Sequence, residues 1–222
     1  MALFQDRRQA GRTLGELVRA AVPDPATALV LGLPRGGVPV AFEVAHALRA
    51  ELDVFLVRKI GMPGEEELAL GAIASGGIRV LNEGLVRYLH VPAAAIEAIA
   101  TREQAELERQ ERAFRGDRAP IAVNGRPVVL VDDGLATGAS MLAATRAIRP
   151  LGAKTIMVAV PVAARSTCDE FRCQVDQVIC AATPDPFGSV GAWYEDFSQT
   201  TDEDVRRLLG EASAIASGLR AS

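Results

Sequence analysis

Histidine and cysteine are scarce: the 222 residues include two histidines, His46 and His90, and three cysteines, Cys168, Cys173 and Cys180. No Cys-x-x-Cys spacing occurs, so the ligand pattern of a zinc site is missing. Three is an odd number, and the chain is longer than the usual disulfide-stapled scaffold. That points to reduced thiols in a reducing compartment. Surplus positive charge is missing too. Lysine and arginine total 24 against 28 acids, a net charge of −4, which argues against the basic footprint of a nucleic-acid binder. No apolar run approaches the roughly 20 residues that a membrane-spanning helix needs. The opening "MALFQDRRQAGRTLGEL" has no apolar centre, so no secretory leader is expected. Neither Gly-x-x-x-x-Gly-Lys-Ser/Thr nor Gly-x-Gly-x-x-Gly occurs, which removes two common glycine-rich nucleotide loops. The expectation is a cytoplasmic protein with no nucleic-acid and no membrane partner.

What is present is enough apolar residue, 49%, to fill the core of one domain over 1–222. Leu14, Leu17, Val18 and Ala21 recur at helical spacing within Gln5 to Ala21, predicting a leading helix. "TALVLGL" (Thr27–Leu33) is a short apolar run ended by Pro-Arg-Gly-Gly and reads as a buried strand. Helical composition follows over Val38 to Ala50, then a second strand over Asp53 to Lys59. Residues 60–120 break the rhythm. They begin with a glycine- and acid-rich loop, continue with two apolar runs (Leu68–Ala74 and Ile78–Leu81) parted by Ser-Gly-Gly, and end in a charged helix, Ala93 to Arg115. A mobile loop, a hairpin and a solvated helix are expected there. Strands resume at "RPVVLVDD", "AKTIMVAVPVA" and "QVDQVICAAT". Residues 183–222 start as an aromatic loop and end in a helix capped by Thr200 or Thr201, with Asp202, Glu203 and Asp204 in its first turn. Strands alternating with helices predict an α/β fold: an open, mostly parallel sheet flanked by helices.

The most informative stretch is "VVLVDDGLATGAS", Val128 to Ser140. An apolar strand ends in two adjacent carboxylates, followed by small residues and a helix. In an open parallel sheet, ligands bind beyond the carboxyl ends of the strands. The backbone N–H groups of Gly134 to Ser140 converge at a helix start, which suits a phosphate, with the Thr137 and Ser140 hydroxyls beside it. Two acids next to a phosphate site suit a phosphorylated sugar with vicinal hydroxyls.

The same 13 residues resemble the signature of the type I phosphoribosyltransferases, enzymes that use 5-phosphoribosyl 1-pyrophosphate (PRPP). The resemblance implies that Asp132 and Asp133 bind the ribose hydroxyls of PRPP, and that Gly134, Ala136, Thr137, Gly138, Ala139 and Ser140 hold its 5′-phosphate. It implies a pyrophosphate loop at "GLPRGGVPV", with Arg35 as ligand, Gly36 and Gly37 as hinges and a non-proline cis peptide. Arg58 and Lys59 become candidate pyrophosphate ligands, with Lys59 and Arg35 assisting departure of the leaving group. Gly61 to Glu67 becomes a lid, and among Glu65, Glu66 and Glu67 the candidate acid–base group is Glu66. A small hood is expected from the loop, hairpin and C-terminal segments. There "PDPFGSVGAWYEDF" is similar to the purine-type members: Phe187 is the expected base-stacking residue, Trp193 the alternative. Asp132, Asp133 and Asp196 are the candidate Mg²⁺ ligands. His46 and His90 are read as structural.

One departure bears on the acceptor. Where hypoxanthine–guanine members carry an aspartate in the phosphate loop, this chain has Ala136. The implied activity is transfer of the phosphoribosyl group to a nitrogen nucleophile, probed best among nucleobases and related heterocycles, with Mg²⁺ as cofactor. The implied partners are the two small substrates, with a homodimer left open. The alternatives are a non-catalytic PRPP sensor and an enzyme of another phosphosugar.

Overall fold

The structure is a computed structural model that describes residues 2–221, apart from the side chains of Glu66, Glu67 and 217–221. Eight strands form among the described residues: β1 (Leu29–Gly32), β2 (Glu51–Val54), β3 (Val57–Met62), β4 (Glu65–Ala74), β5 (Ile78–Leu81), β6 (Pro127–Val131), β7 (Thr155–Val162) and β8 (Gln177–Ala182). The α-helices are α1 (Arg7–Ala21), α2 (Gly37–Leu48), α3 (Glu83–Tyr88), α4 (Ala93–Arg115), α5 (Ala139–Ile148), α6 (Arg165–Phe171) and α7 (Asp202–Ala221).

Five strands make one sheet, in the order β2-β1-β6-β7-β8, and every pair is parallel. Such a sheet is covered on both faces, which is why its central strands read as unbroken apolar runs rather than alternating ones. Successive side chains still point to opposite faces. Val30, Val129, Val131 and Ala159 pack with Leu14, Val18, Val44 and Leu208 of α1, α2 and α7. Leu31, Leu130, Ile156 and Val158 pack on the other side with Met141, Ile148 and Phe171 of α5 and α6. Fully buried residues such as Leu130 and Ile156 each stabilise the fold by about 1.5–3 kcal/mol. Chain order reverses between β1 and β6, so a crevice opens at the carboxyl ends of these two strands.

The second sheet, β3-β4-β5, is antiparallel. It corrects two expectations. The expected strand Asp53 to Lys59 is not one strand. It changes partners at Phe55 and Leu56, whose N–H groups donate to the Gly32 carbonyl and the Ser75 hydroxyl. Its apolar centre, Val54 to Val57, carries no mark of such a switch. The segment after Ile60 is not a loop either. Met62 faces Glu65 across a tight turn at Pro63 and Gly64, so most of the expected lid is the tip of a hairpin. The hairpin around Ser75–Gly77 lies where the sequence places it.

Helix α4 matches its expected bounds, but it is not simply solvated. Ile96, Ala100, Glu103, Leu107, Phe114 and Arg115 are buried on one face. Arg115 donates to Asp53 Oδ1 at 2.8 Å and to the Val54 carbonyl at 2.6 Å. Two short helices, α3 and α6, have no counterpart in the sequence reading because each offers under two turns of periodicity. Cys168 in α6 and Cys180 in β8 are joined by a disulfide, and Cys173 is free and exposed. The expectation of three reduced thiols is thereby corrected: α6 packs along β8 and brings together two cysteines that sequence spacing does not pair.

Candidate functional site

The loop after β1 starts the site. Leu33 extends the parallel pairing by donating to the Val131 carbonyl at 2.9 Å, and the chain then turns over Pro34–Arg35, a non-proline cis peptide, into α2. The expected cis bond is therefore present. Gly36 and Gly37 lie against the end of β6. A Cβ on Gly36 would strike the Asp133 carboxylate, and one on Gly37 would sit 2.8 Å from the Val131 carbonyl oxygen. Only glycine lets the two loops of the switch point approach this closely.

Asp132 and Asp133 directly follow β6, both half-buried. Burial, then the neighbouring Asp133 charge, pushes the Asp132 carboxyl well above its usual range. Burial also raises Asp133, and Arg7 works against that shift. The chain next forms the phosphate-type loop. Leu135 bridges to Ala163, Ala136 accepts from the Thr167 hydroxyl at 2.7 Å, and Gly138 enters α5 with φ of 69°. A Cβ there would lie 2.6 Å from the Phe171 ring as well as being strained. No side chain caps α5, so the N–H groups of its first turn stay available to an anion. Ala136, Thr137, Ala139 and Ser140 are exposed.

The C-terminal loop covers this end of the sheet. Trp193 Nε1 donates to the Phe187 carbonyl at 2.8 Å, and both rings are half-buried beside Phe4, Ala10, Val162 and Tyr194. Gly134 faces Val190 closely enough that a Cβ would fall 2.6 Å from its Cγ1. The Tyr194 hydroxyl donates to the Asp133 carbonyl oxygen at 2.6 Å, and burial keeps that hydroxyl protonated by pushing it far above its ordinary value. Asp196 accepts from the Ser198 N–H at 2.8 Å and is exposed.

The structure brings Asp132, Asp133, Gly134, Gly36, Gly37 and the hood into direct contact. Other expected site residues have different neighbours. Arg35 is exposed and faces Asp202 at 3.3 Å. Arg58 donates to Glu103 Oε2 of α4 at 2.7 Å. Lys59, next along β3, is exposed on the opposite face. The Glu66 side chain lies outside the described residues. Three residues escaped the sequence reading. Thr167 anchors the phosphate-type loop, Tyr194 anchors the acid pair, and Arg7 donates through Nε to Asp133 Oδ2 at 2.8 Å. Arg7 and Asp133 lie 126 positions apart, so no local spacing connects them.

The comparisons with known proteins agree with this geometry. Residues 14–182 match the family model described as the phosphoribosyl transferase domain. The chain belongs to the phosphoribosyltransferase family. It is 47% identical over 212 residues to two proteins of Mycobacterium tuberculosis, from strains CDC 1551 and H37Rv, provisionally named phosphoribosyl transferases MT0597 and Rv0571c. These alignments cover 96% of this chain and 47% of each relative, so the chain spans about half the length of the curated relatives it matches. The crystal structure of TT1426 from Thermus thermophilus is similar over 95% of this chain and 99% of that one, with 44% identity and a TM-score of 0.85. Among the described residues, no helix of this phosphoribosyltransferase domain is long and apolar enough to cross a membrane. Nor do three or more acidic, histidine or cysteine side chains cluster as a metal cage among them.

Proposed function

We propose that the chain transfers the phosphoribosyl group of PRPP to a nitrogen nucleophile, in the class of nucleobases and related heterocycles, with release of pyrophosphate. The observation that carries this reading is the meeting of two half-buried carboxylates with two anion-suited loops at the β1/β6 switch point. Asp132 and Asp133 accept from the ribose hydroxyls. The α5 N-terminus, with Thr137 and Ser140, holds the 5′-phosphate, and the Arg35–Gly37 loop holds the pyrophosphate. The catalytic work is charge stabilisation and positioning around C1 as its bond to pyrophosphate breaks. Phe187 and Trp193 are assigned to the acceptor side, and Lys59, exposed on β3, to the pyrophosphate.

The acid pair also fits Mg²⁺, a hard cation that takes one or two carboxylates and completes its shell with substrate phosphate oxygens and water. Asp132 and Asp133 would hold it, with Asp196 as the third candidate. Bound there, it would offset charge on the pyrophosphate leaving group. The reading is tested by replacing both acids, Asp132→Asn with Asp133→Asn, and titrating PRPP and Mg²⁺ by calorimetry. The expected loss of affinity is about tenfold or more, because charge-assisted acceptors become neutral ones. Unchanged affinity would remove the acids from the ribose. Wild-type binding without pyrophosphate release across a panel of bases would leave a PRPP-binding module instead of a transferase.

A further inference from the structure

Arg7 is the first residue of α1, and no acid follows it in the first turn. A cation there opposes the helix dipole. Local rules broken in this way point to a compensating demand from the rest of the molecule. Among the described residues, the polar bonds of the Arg7 side chain lead to the acid pair and the hood. Nε donates to Asp133 Oδ2 at 2.8 Å, Nη1 donates to the Ser198 carbonyl at 2.7 Å, and the guanidinium lies 3.8 Å from the centre of the Phe197 ring. Its side chain is 12% exposed and that of Asp133 is 16% exposed.

The neighbouring backbone extends the attachment. Leu3 and Phe4 donate to the Trp193 carbonyl, the Phe4 carbonyl accepts from Glu195 N–H, and the Gln5 carbonyl accepts from Asp196 N–H. Residues 3–7 thus strap the hood, and Arg7 joins the strap to the acid pair. The contact engages Oδ2, the oxygen on the Gly36 side. It leaves Oδ1 for another donor, and it supplies the positive charge that lets two adjacent carboxylates coexist. A hood clamp alone would be served by the exposed Glu195 or Asp196 nearby. The arginine instead holds the acid at the carboxyl end of β6.

We propose that Arg7 is a positioning residue that fixes the Asp133 carboxylate for the ribose hydroxyls of PRPP and couples it to the hood. This inference rests on the phosphoribosyl reading above. The experiment compares Arg7→Gln and Arg7→Lys with the wild type by calorimetry, titrating PRPP with Mg²⁺ and, separately, inorganic pyrophosphate without divalent metal. Phe197→Leu, which removes the ring beneath the guanidinium, serves as a third variant should Arg7→Gln fail to fold.

PRPP with Mg²⁺ engages Asp133 in this scheme, whereas metal-free pyrophosphate, held by the Arg35–Gly37 loop, does not. Arg7→Gln is therefore expected to weaken PRPP by about tenfold while leaving pyrophosphate within about twofold of wild type, as loss of one charge-assisted bond would do. Arg7→Lys, which keeps the charge, is expected to recover most of the loss. Phe197→Leu is expected to weaken PRPP selectively and by less. Equal PRPP binding by Arg7→Gln and wild type overturns the proposal. So does parallel loss of both ligands, which marks a purely structural residue, or an Arg7→Lys no better than Arg7→Gln. Failure of the wild type itself to bind PRPP removes the phosphoribosyl reading and this role with it, and is recognised because it needs no substitution.

Discussion

Arg35 is the residue whose neighbours differ most from its expected role. Its contact with Asp202, at 3.3 Å between side chains 42% and 52% exposed, is an exposed ion pair worth about 0–1 kcal/mol. Almost nothing in the folded state therefore depends on it, and the guanidinium can leave Asp202 for a pyrophosphate at little cost. Arg35→Ala is expected to shift the melting temperature by less than about 3 °C and to weaken pyrophosphate by about tenfold, read by thermal unfolding and calorimetry. A variant that melts early yet binds pyrophosphate normally would make Arg35 structural. The acid pair differs from Arg35 in legibility. Asp132 and Asp133 are visible in sequence because two adjacent acids at the end of an apolar strand are locally unfavourable. Arg7 and Tyr194 are invisible because their partners lie in loops far along the chain.

At the scale of elements, α4 ties the antiparallel sheet to the rest of the fold through Glu103. Burial pulls the Glu103 carboxyl upward, but hydrogen bonds from Arg58 and Arg102 outweigh it and hold the group below the usual glutamate range. A depressed carboxylate contributes stability that is present above its unfolded value, about pH 4.3, and lost as pH falls through the lower folded value. Glu103→Gln is expected to lower stability near pH 7 by about 1–3 kcal/mol, since it weakens the partners of a buried charge. Its gap to wild type should close below about pH 4. Urea unfolding at pH 7, 5 and 3.5 measures this, and a gap that stays constant with pH would detach Glu103 from the effect. The helix itself was legible from its charge pattern and length. Its buried face was not, because Glu103 and Arg115 read as solvated until their partners on β3 and β2 are known.

At the scale of the whole molecule, the Cys168–Cys180 bridge joins α6, which carries the Thr167 anchor of the phosphate-type loop, to the edge strand β8. Thiol titration of the unfolded, unreduced protein is expected to find one reactive thiol, Cys173. Three would mean that the bridge does not form. Reduction is expected to lower stability by about 2–4 kcal/mol, as loss of a short closed loop does.

The order of the core elements, the parallel sheet, the acid pair and the small-residue loop follow from the sequence by itself. Each is a local property: apolar run length, glycine and proline punctuation, and charge set where solvation is costly. Folding alone decided the rest. It split Asp53–Lys59 between two sheets, turned the expected lid into a hairpin, set Arg58 against Glu103 and brought Arg7 to Asp133. The physical reason is that a strand's partner and a cation's counter-charge are chosen by proximity in space. One-dimensional spacing records proximity only within a helix turn, a strand or a tight loop.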